Sequence, residues 1–178
     1  MLTDRNHEEL AKETDDMDSA DEALAHCRIS SLLSLYYQAL DVGDLETLER
    51  EVIAEDASWE VIQLSTNERV EDGASGRSGI VAWFQRMLGS EVTMSEGTVR
   101  HFIDTHVIRV APDGQTAHST SHLQAVDTVT MANLANGFVE ADHVRTESGW
   151  RIRRYKVEER ITEEDMAAFK AMIEAEKA

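Results

Sequence analysis

The sequence predicts an α+β domain: a strongly curled antiparallel sheet forms a half-barrel, N-terminal helices close its open side, and one further helix follows at the C-terminus. Three observations lead there. Helical periodicity comes first and β-type alternation largely afterward, which indicates segregated rather than alternating elements. Two β-type runs flank Pro112-Asp113-Gly114, and Asp-Gly between such runs is a strong hairpin signal. No repeat, linker or low-complexity stretch interrupts residues 21–161, so these read as one domain, preceded by an acidic arm (1–20) and followed by a helix (162–178).

The arm carries Asp4, Glu8, Glu9, Glu13, Asp15, Asp16 and Asp18 with few apolar side chains, and a frayed or loosely helical state is expected. A helix begins near Asp21. Ala25, Ile29, Leu32, Leu33, Tyr36 and Leu40 fall at the spacing of a buried stripe, with Tyr37 and Asp41 one turn apart on its edge. Gly43 ends this helix and Asp44 caps the next, Leu45 to Ile53. An aspartate in a helix's last turn opposes the macrodipole, so Asp41 reads either as a solvated helix end or as a carboxylate facing a pocket. A strand is expected from Ala57 to Leu64 and a short one from Arg69 to Asp72. Ser78 is then the expected N-cap of a third helix with Ile80, Trp83, Phe84, Met87 and Leu88 on its apolar face. After the hairpin, Thr128–Thr146 reads as a long strand region loosened around Asn133–Gly137, and Trp150–Arg160 as the last strand. Thr162 with Asp165 resembles a capping box that opens the C-terminal helix.

A two-residue turn at Asp113-Gly114 places Pro112 opposite Gln115. Carried along the strands, that register sets His101 against Val126, Thr105 against His122 and Arg109 against His118, so that His101, His118 and His122 share one face. A metal site fits this arrangement poorly. His118 and His122 stand roughly 13 Å apart at ~3.3 Å per residue, and the odd separation of His101 from His106 points them to opposite faces. No Cys-x-x-Cys or His-Glu-x-x-His spacing occurs. Imidazole titrates near neutral pH, so His101 is instead a candidate general base or acid.

Composition bounds the partners. With 178 residues, 42% hydrophobic, the chain is long enough for a sizeable core. A net charge of −18 repels phosphate backbones and anionic lipid, which argues against nucleic acid and membrane surfaces and leaves a small neutral substrate open. The one cysteine, Cys27, suits a reducing cytoplasm, and no apolar run reaches the ~20 residues of a membrane span. A cytoplasmic protein is expected. Phe102, Ile108, Val110 and Leu123 are expected on the outer sheet face, where a homodimer or higher homo-oligomer would cover them.

Several short stretches resemble one family when taken in order. They are Tyr36-Tyr37-Gln38-Ala39-Leu40-Asp41 with Gly43-Asp44, Glu55-Asp56-Ala57 with Trp59, and Gly76-Arg77 with Ile80. Arg100-His101-Phe102, Gly114 with Ala117, and Gly149-Trp150-Arg151-Ile152 complete the series. Over residues 22–160 the chain is similar to the SnoaL-like group of the nuclear transport factor 2-like superfamily. The resemblance implies a cone-shaped sheet closed by helices. In scytalone dehydratase and its relatives an aspartate near the end of the first helix orients a strand histidine, and Asp41 and His101 match those positions. The resemblance further implies a pocket tyrosine at Tyr37 or Tyr36, with Thr105, His122, Trp59 and Trp83 as candidate substrate contacts. Together these readings lead to a cofactor-independent, metal-free lyase or isomerase, dehydratase-like, acting on a small, largely apolar molecule. In it His101 moves the proton, Asp41 orients the imidazole, and Tyr37 or His122 serves the oxygen that gains charge. A non-catalytic ligand-binding or assembly module and a polyketide cyclase-like enzyme with the same pocket are the alternatives.

Overall fold

A computed structural model describes residues 18–89 and 98–175. Most of the expected acidic arm lies outside them; its last residues cap and begin the first helix. Helix α1 (Ser19–Val42) starts at Asp18, whose carboxylate accepts the Ala20 N–H at 3.3 Å, and stops at Gly43, which adopts φ 69°. That left-handed turn costs a glycine nothing and breaks the helix cleanly. Asp44 caps α2 (Leu45–Thr47), which continues as one π-helical turn, Leu48–Val52, and buries Leu48 and Val52. There follow β1 (Ile53–Leu64), β2 (Arg69–Ser75), α3 (Arg77–Gly89), β3 (Val99–Val110), β4 (Thr116–Asp127), β5 (Asn133–Thr146), β6 (Gly149–Arg160) and α4 (Glu163–Ala175). Ser78 lies within the first turn of α3 rather than before it. The helix starts one residue earlier, behind Gly76, whose carbonyl accepts the Ile80 N–H. At the other end of the chain, Thr162 and Asp165 cap α4 as the sequence suggests, the Asp165 N–H donating to Thr162 Oγ1 at 3.1 Å. Among the described residues no helix is long and apolar enough to cross a membrane.

The six strands form one curved, unclosed sheet in the order β2-β1-β6-β5-β4-β3. Neighbours are antiparallel with one exception: β1 and β6 run parallel at the centre. A parallel pair needs a long crossover, and everything from β2 to β5 supplies it. The concave face packs on α1 and α3. Leu33, Tyr36, Tyr37 and Leu40 from α1 join Trp83 and Phe84 from α3, and these meet Trp59, Val139, Ala141, Tyr155 and Val157 from the sheet.

The β3–β4 hairpin departs from the expected register in one place. Near the turn the pairing follows the Asp-Gly prediction, with Arg109 opposite His118 and Val110 opposite Ala117. Between Asp104 and Val107 a β-bulge inserts one extra residue into β3, with Thr105 at φ 53°. Beyond it Asp104 pairs with His122, and His101 pairs with Ala125 rather than Val126. Because side chains alternate with period two, a one-residue shift exchanges the faces of everything beyond it. The expectation that His101, His118 and His122 share a face is therefore corrected: His101 faces the concave side with Ala125, whereas His118 and His122 are exposed on the convex side. By the same shift His106 joins His101 on the inner face, its Nδ1 bonded to the buried Ser121 hydroxyl at 2.7 Å. The expected outer patch changes as well. Phe102 is exposed there, but Leu123 is buried in the core and Ile108 and Val110 pack against it. The exposed apolar residues of the convex side are instead Phe102, Val107 and Phe138.

Candidate active site

The last turn of α1 and the mouth end of β3 meet at Asp41 and His101. Tyr37 and Asp41 are four residues apart and so project together from the helix. Asp41 stands where the helix dipole disfavours an anion, and the strand supplies the compensation. Its Oδ2 accepts the backbone N–H of His101 at 3.1 Å, and its Oδ1 lies 2.6 Å from His101 Nδ1. An ionised carboxylate only accepts, so this bond assigns the proton of a neutral imidazole to Nδ1 and leaves Nε2 as the basic nitrogen. The Tyr37 ring stacks on the imidazole with centroids 5.1 Å apart and fixes its plane.

Behind this pair lies a buried aromatic cluster. The hydroxyls of Tyr37 and Tyr155 hydrogen-bond to each other, Trp59 stacks on Tyr155 at 4.9 Å, and Trp59 Nε1 donates to Tyr36 Oη at 3.2 Å. Burial raises the pKa of all three tyrosines above the ordinary phenol value, so they are neutral hydrogen-bonding groups.

His101 opens on a cavity of about 70 Å³. Met87, Val99, Ala125, Leu134, Ala135, Ile161 and Phe169 form its apolar wall, and Gln63, Glu159 and Asp165 are its other polar residues. A water occupies ~30 Å³ in the liquid, so the cavity has room for a few waters or a small molecule of comparable bulk. Gln63 and Glu159 are register partners on β1 and β6, with Gln63 Nε2 donating to Glu159 Oε1 at 2.5 Å. Burial raises the Glu159 pKa, opposed by the charge of His101 and by the Gln63 hydrogen bond. A larger groove of about 640 Å³ lies toward the turn end of the hairpin. It is open and lined by Arg109, His118, Asp142, Arg153 and Arg154 among others, and includes none of the residues expected in the pocket.

The residues expected at the site thus divide. Asp41, His101 and Tyr37 are brought together. Tyr36 and Trp59 are one layer behind, not on the cavity wall. Trp83 is buried in the core, its Nε1 donating to Asp72 on β2 at 2.7 Å. Thr105 and His122 are bonded to each other at 2.7 Å and are exposed, with His122 on the convex side. Gln63 and Glu159 escaped the sequence reading, although a signal existed. They continue the inward alternation of Trp59 and Val61 on β1 and of Tyr155 and Val157 on β6.

Residues 21–156 match the model of a family described as the SnoaL-like domain. Among solved structures, an NTF2-like protein with a cystatin-like fold from Novosphingobium aromaticivorans is 23% identical, over 86% of this chain and 91% of that one, with a TM-score of 0.60. A provisionally assigned scytalone dehydratase from the same organism is 18% identical over 79% and 87%, with a TM-score of 0.61. ActVI-ORFA from Streptomyces coelicolor is 20% identical over 75% and 96%, with a TM-score of 0.56. At such identities the likeness is one of fold. Among curated proteins none matches the chain.

Proposed function

The chain belongs to the SnoaL-like family, and from that premise and the site geometry we propose a cofactor-independent, dehydratase-like lyase or isomerase that moves a proton on a small, largely apolar molecule. The observation that carries this reading is the Asp41–His101 bond at the edge of an apolar cavity. His101 Nε2 removes a proton from a carbon acidified by a neighbouring carbonyl. Asp41 holds the imidazole by Nδ1–H, which leaves Nε2 as the basic nitrogen of the neutral ring, and stabilises the imidazolium that forms. The apolar wall excludes water and strengthens that charge interaction. Tyr37 acts as a positioning residue, since its hydroxyl is engaged by Tyr155 and its contribution is the stacked ring. The size of the cavity favours elimination or isomerisation of a small molecule over cyclisation of a polyketide chain.

The test is α-proton exchange of small ketones in D₂O, followed by NMR. Wild-type protein should catalyse exchange and His101→Ala should lose it, by about 10²–10⁴-fold. Asp41→Asn should keep the fold and lose most of the activity. Exchange that survives in His101→Ala at the wild-type rate would remove the reading. The same proposal includes a cytoplasmic homodimer that covers Phe102, Val107 and Phe138 on the convex face. A monomer in sedimentation at micromolar concentration would contradict the dimer.

A further inference from the structure

Elimination needs two proton-transfer groups, and the proposed base is only one of them. Of the candidates for the second, the Tyr37 hydroxyl is tied to Tyr155 behind the wall and His122 points to the convex side. The described residues of the cavity itself offer Asp165, which is engaged in the α4 cap with Thr162, and the pair Glu159 on β6 and Gln63 on β1, three and four strands around the curl from His101.

This pair has the features of a built site. Gln63 is 6% exposed; its amide N–H donates to Glu159, and its Oε1 is buried without a hydrogen-bond partner. An unpaired buried acceptor is unfavourable, and a ligand O–H would satisfy it. Space for the glutamate is made by Gly137, its register partner on β5, where a Cβ would come within 2.8 Å of Glu159 Cβ. Desolvation favours the protonated carboxyl, a group that can donate. The ionisable groups around it are His101 from β3 with its partner Asp41 from α1, Tyr37 and Tyr155 from the aromatic cluster, and Asp165 from α4. No lysine or arginine is among the described residues that line the cavity. Among these residues a ligand carboxylate or phosphate would therefore meet two carboxyl groups and neither lysine nor arginine.

We propose that Gln63 and Glu159 form a subsite for a neutral hydroxyl group and that Glu159 is the catalytic acid opposite His101. The assignment rests on the Asp41–His101 reading and specifies its substrate: a small uncharged molecule carrying a hydroxyl two carbons from its carbonyl. The hydroxyl donates to Gln63 Oε1 and accepts from the Glu159 carboxyl. His101 Nε2 takes the proton from the carbon between, and the C–H electron pair becomes the new C=C bond. The C–O bond breaks with its pair going to oxygen, and the Glu159 proton joins that oxygen to release water. One proton passed from the His101 imidazolium to the Glu159 carboxylate restores the resting enzyme, so the balance is substrate to enone plus water.

Two ketones of equal heavy-atom count test it: 4-hydroxy-2-butanone and 2-pentanone. Wild-type protein should bind the hydroxyketone about tenfold or more tightly than 2-pentanone, because the site's polar groups stay unpaired with the latter. It should also release water from the hydroxyketone. Gln63→Leu should abolish the binding preference, and Glu159→Gln should slow water release by about 10²–10⁴-fold. His118→Ala, at the exposed pair outside this cavity, should keep both activities. As a measure that needs no variant activity, the ¹³C carboxyl signal of Glu159 should titrate above those of the exposed glutamates. A wild-type protein that does not distinguish the two ketones, a Glu159→Gln variant that eliminates like wild type, or a Glu159 signal that titrates with the exposed glutamates overturns the subsite. Exchange that persists in His101→Ala instead overturns the dyad, which separates the two failures.

Discussion

The β3–β4 hairpin carries two histidine–aspartate pairs of nearly identical bond length. Nδ1 of His101 lies 2.6 Å from Asp41, and Nδ1 of His118 lies 2.7 Å from Asp142. The side chains of the first pair are 10% and 7% exposed, those of the second 46% and 44%. Water screens the second pair and solvates either partner if the other is lost, so little depends on it. In the first pair both side chains are largely withdrawn from water, and the histidine lines a cavity. Pair geometry alone does not distinguish the two histidines; burial beside a cavity does, and that is the ground on which His101 is proposed as the base.

The sharpest way to break this contrast is to remove each histidine in turn. His101→Ala should lose proton exchange by about 10²–10⁴-fold, while His118→Ala should retain it. Equal activity of the two variants in one NMR exchange assay, with folding verified by thermal melting, would erase the distinction.

His143 sharpens the contrast from another side, as a histidine with a serine partner and no directly bonded carboxylate. Its Nε2 is bonded to Ser119 Oγ at 2.8 Å, and burial pushes its pKa down to about 4, partly offset by Asp142. Between ~6.5, the unfolded value, and about 4, the unfolded chain holds a proton that the folded chain does not. Stability from this group is therefore complete above that window and declines as pH falls through it, by on the order of 3 kcal/mol. Urea unfolding at a series of pH values should show the decline, and His143→Gln should flatten it. Glu159 contributes with the opposite sign: its raised pKa makes the folded chain the better proton binder, so its share of stability falls as pH rises.

Gly137→Ala acts on the buried pair's cavity and leaves the exposed pair alone. The new methyl group would meet Glu159 Cβ at 2.8 Å and the Glu158 carbonyl oxygen at 3.0 Å. A loss of about 1–3 kcal/mol in denaturant unfolding is expected, together with a displaced Glu159. The smallest effect belongs to His118→Ala, whose change in unfolding free energy should stay within about 0.5 kcal/mol.

Much of this was legible in the chain. Gly43 and Asp44 marked a helix end and a start by chemistry that acts within a few residues, and Thr162 with Asp165 did the same for α4. The Asp-Gly turn set the register as far as Val107. What failed was non-local or irregular. The bulge centres on Asp104-Thr105-His106, which contains neither the glycine nor the asparagine that usually announces a positive φ. The parallel pairing of β1 with β6 joins residues about a hundred positions apart, and no local period reports it. Asp41 and His101 were each singled out from the residues, and it was a resemblance that paired them. Glu159 was hidden in the charged run Glu158-Glu159-Arg160, where only parity separates the inward carboxyl from its outward neighbours.

The bulge at Thr105 has a consequence for variation in this strand. A β-strand is read in a frame of two, and the extra residue is a frameshift: the turn half of β3 is in one frame and the mouth half in the other. Each half is locked, the first by Ile108 and Val110 against the core and the second by His101 against Asp41. Deleting Thr105 would remove the extra residue and leave both halves in their frames, whereas pairing the strand at full length without the bulge forces one half to be misread. Either Arg100 and Phe102 enter the cavity and His101 turns out to solvent, or Val107 and Arg109 turn into the core. Point substitutions in this strand act one side chain at a time, whereas losing the bulge without losing a residue reverses the polarity of half the strand at once.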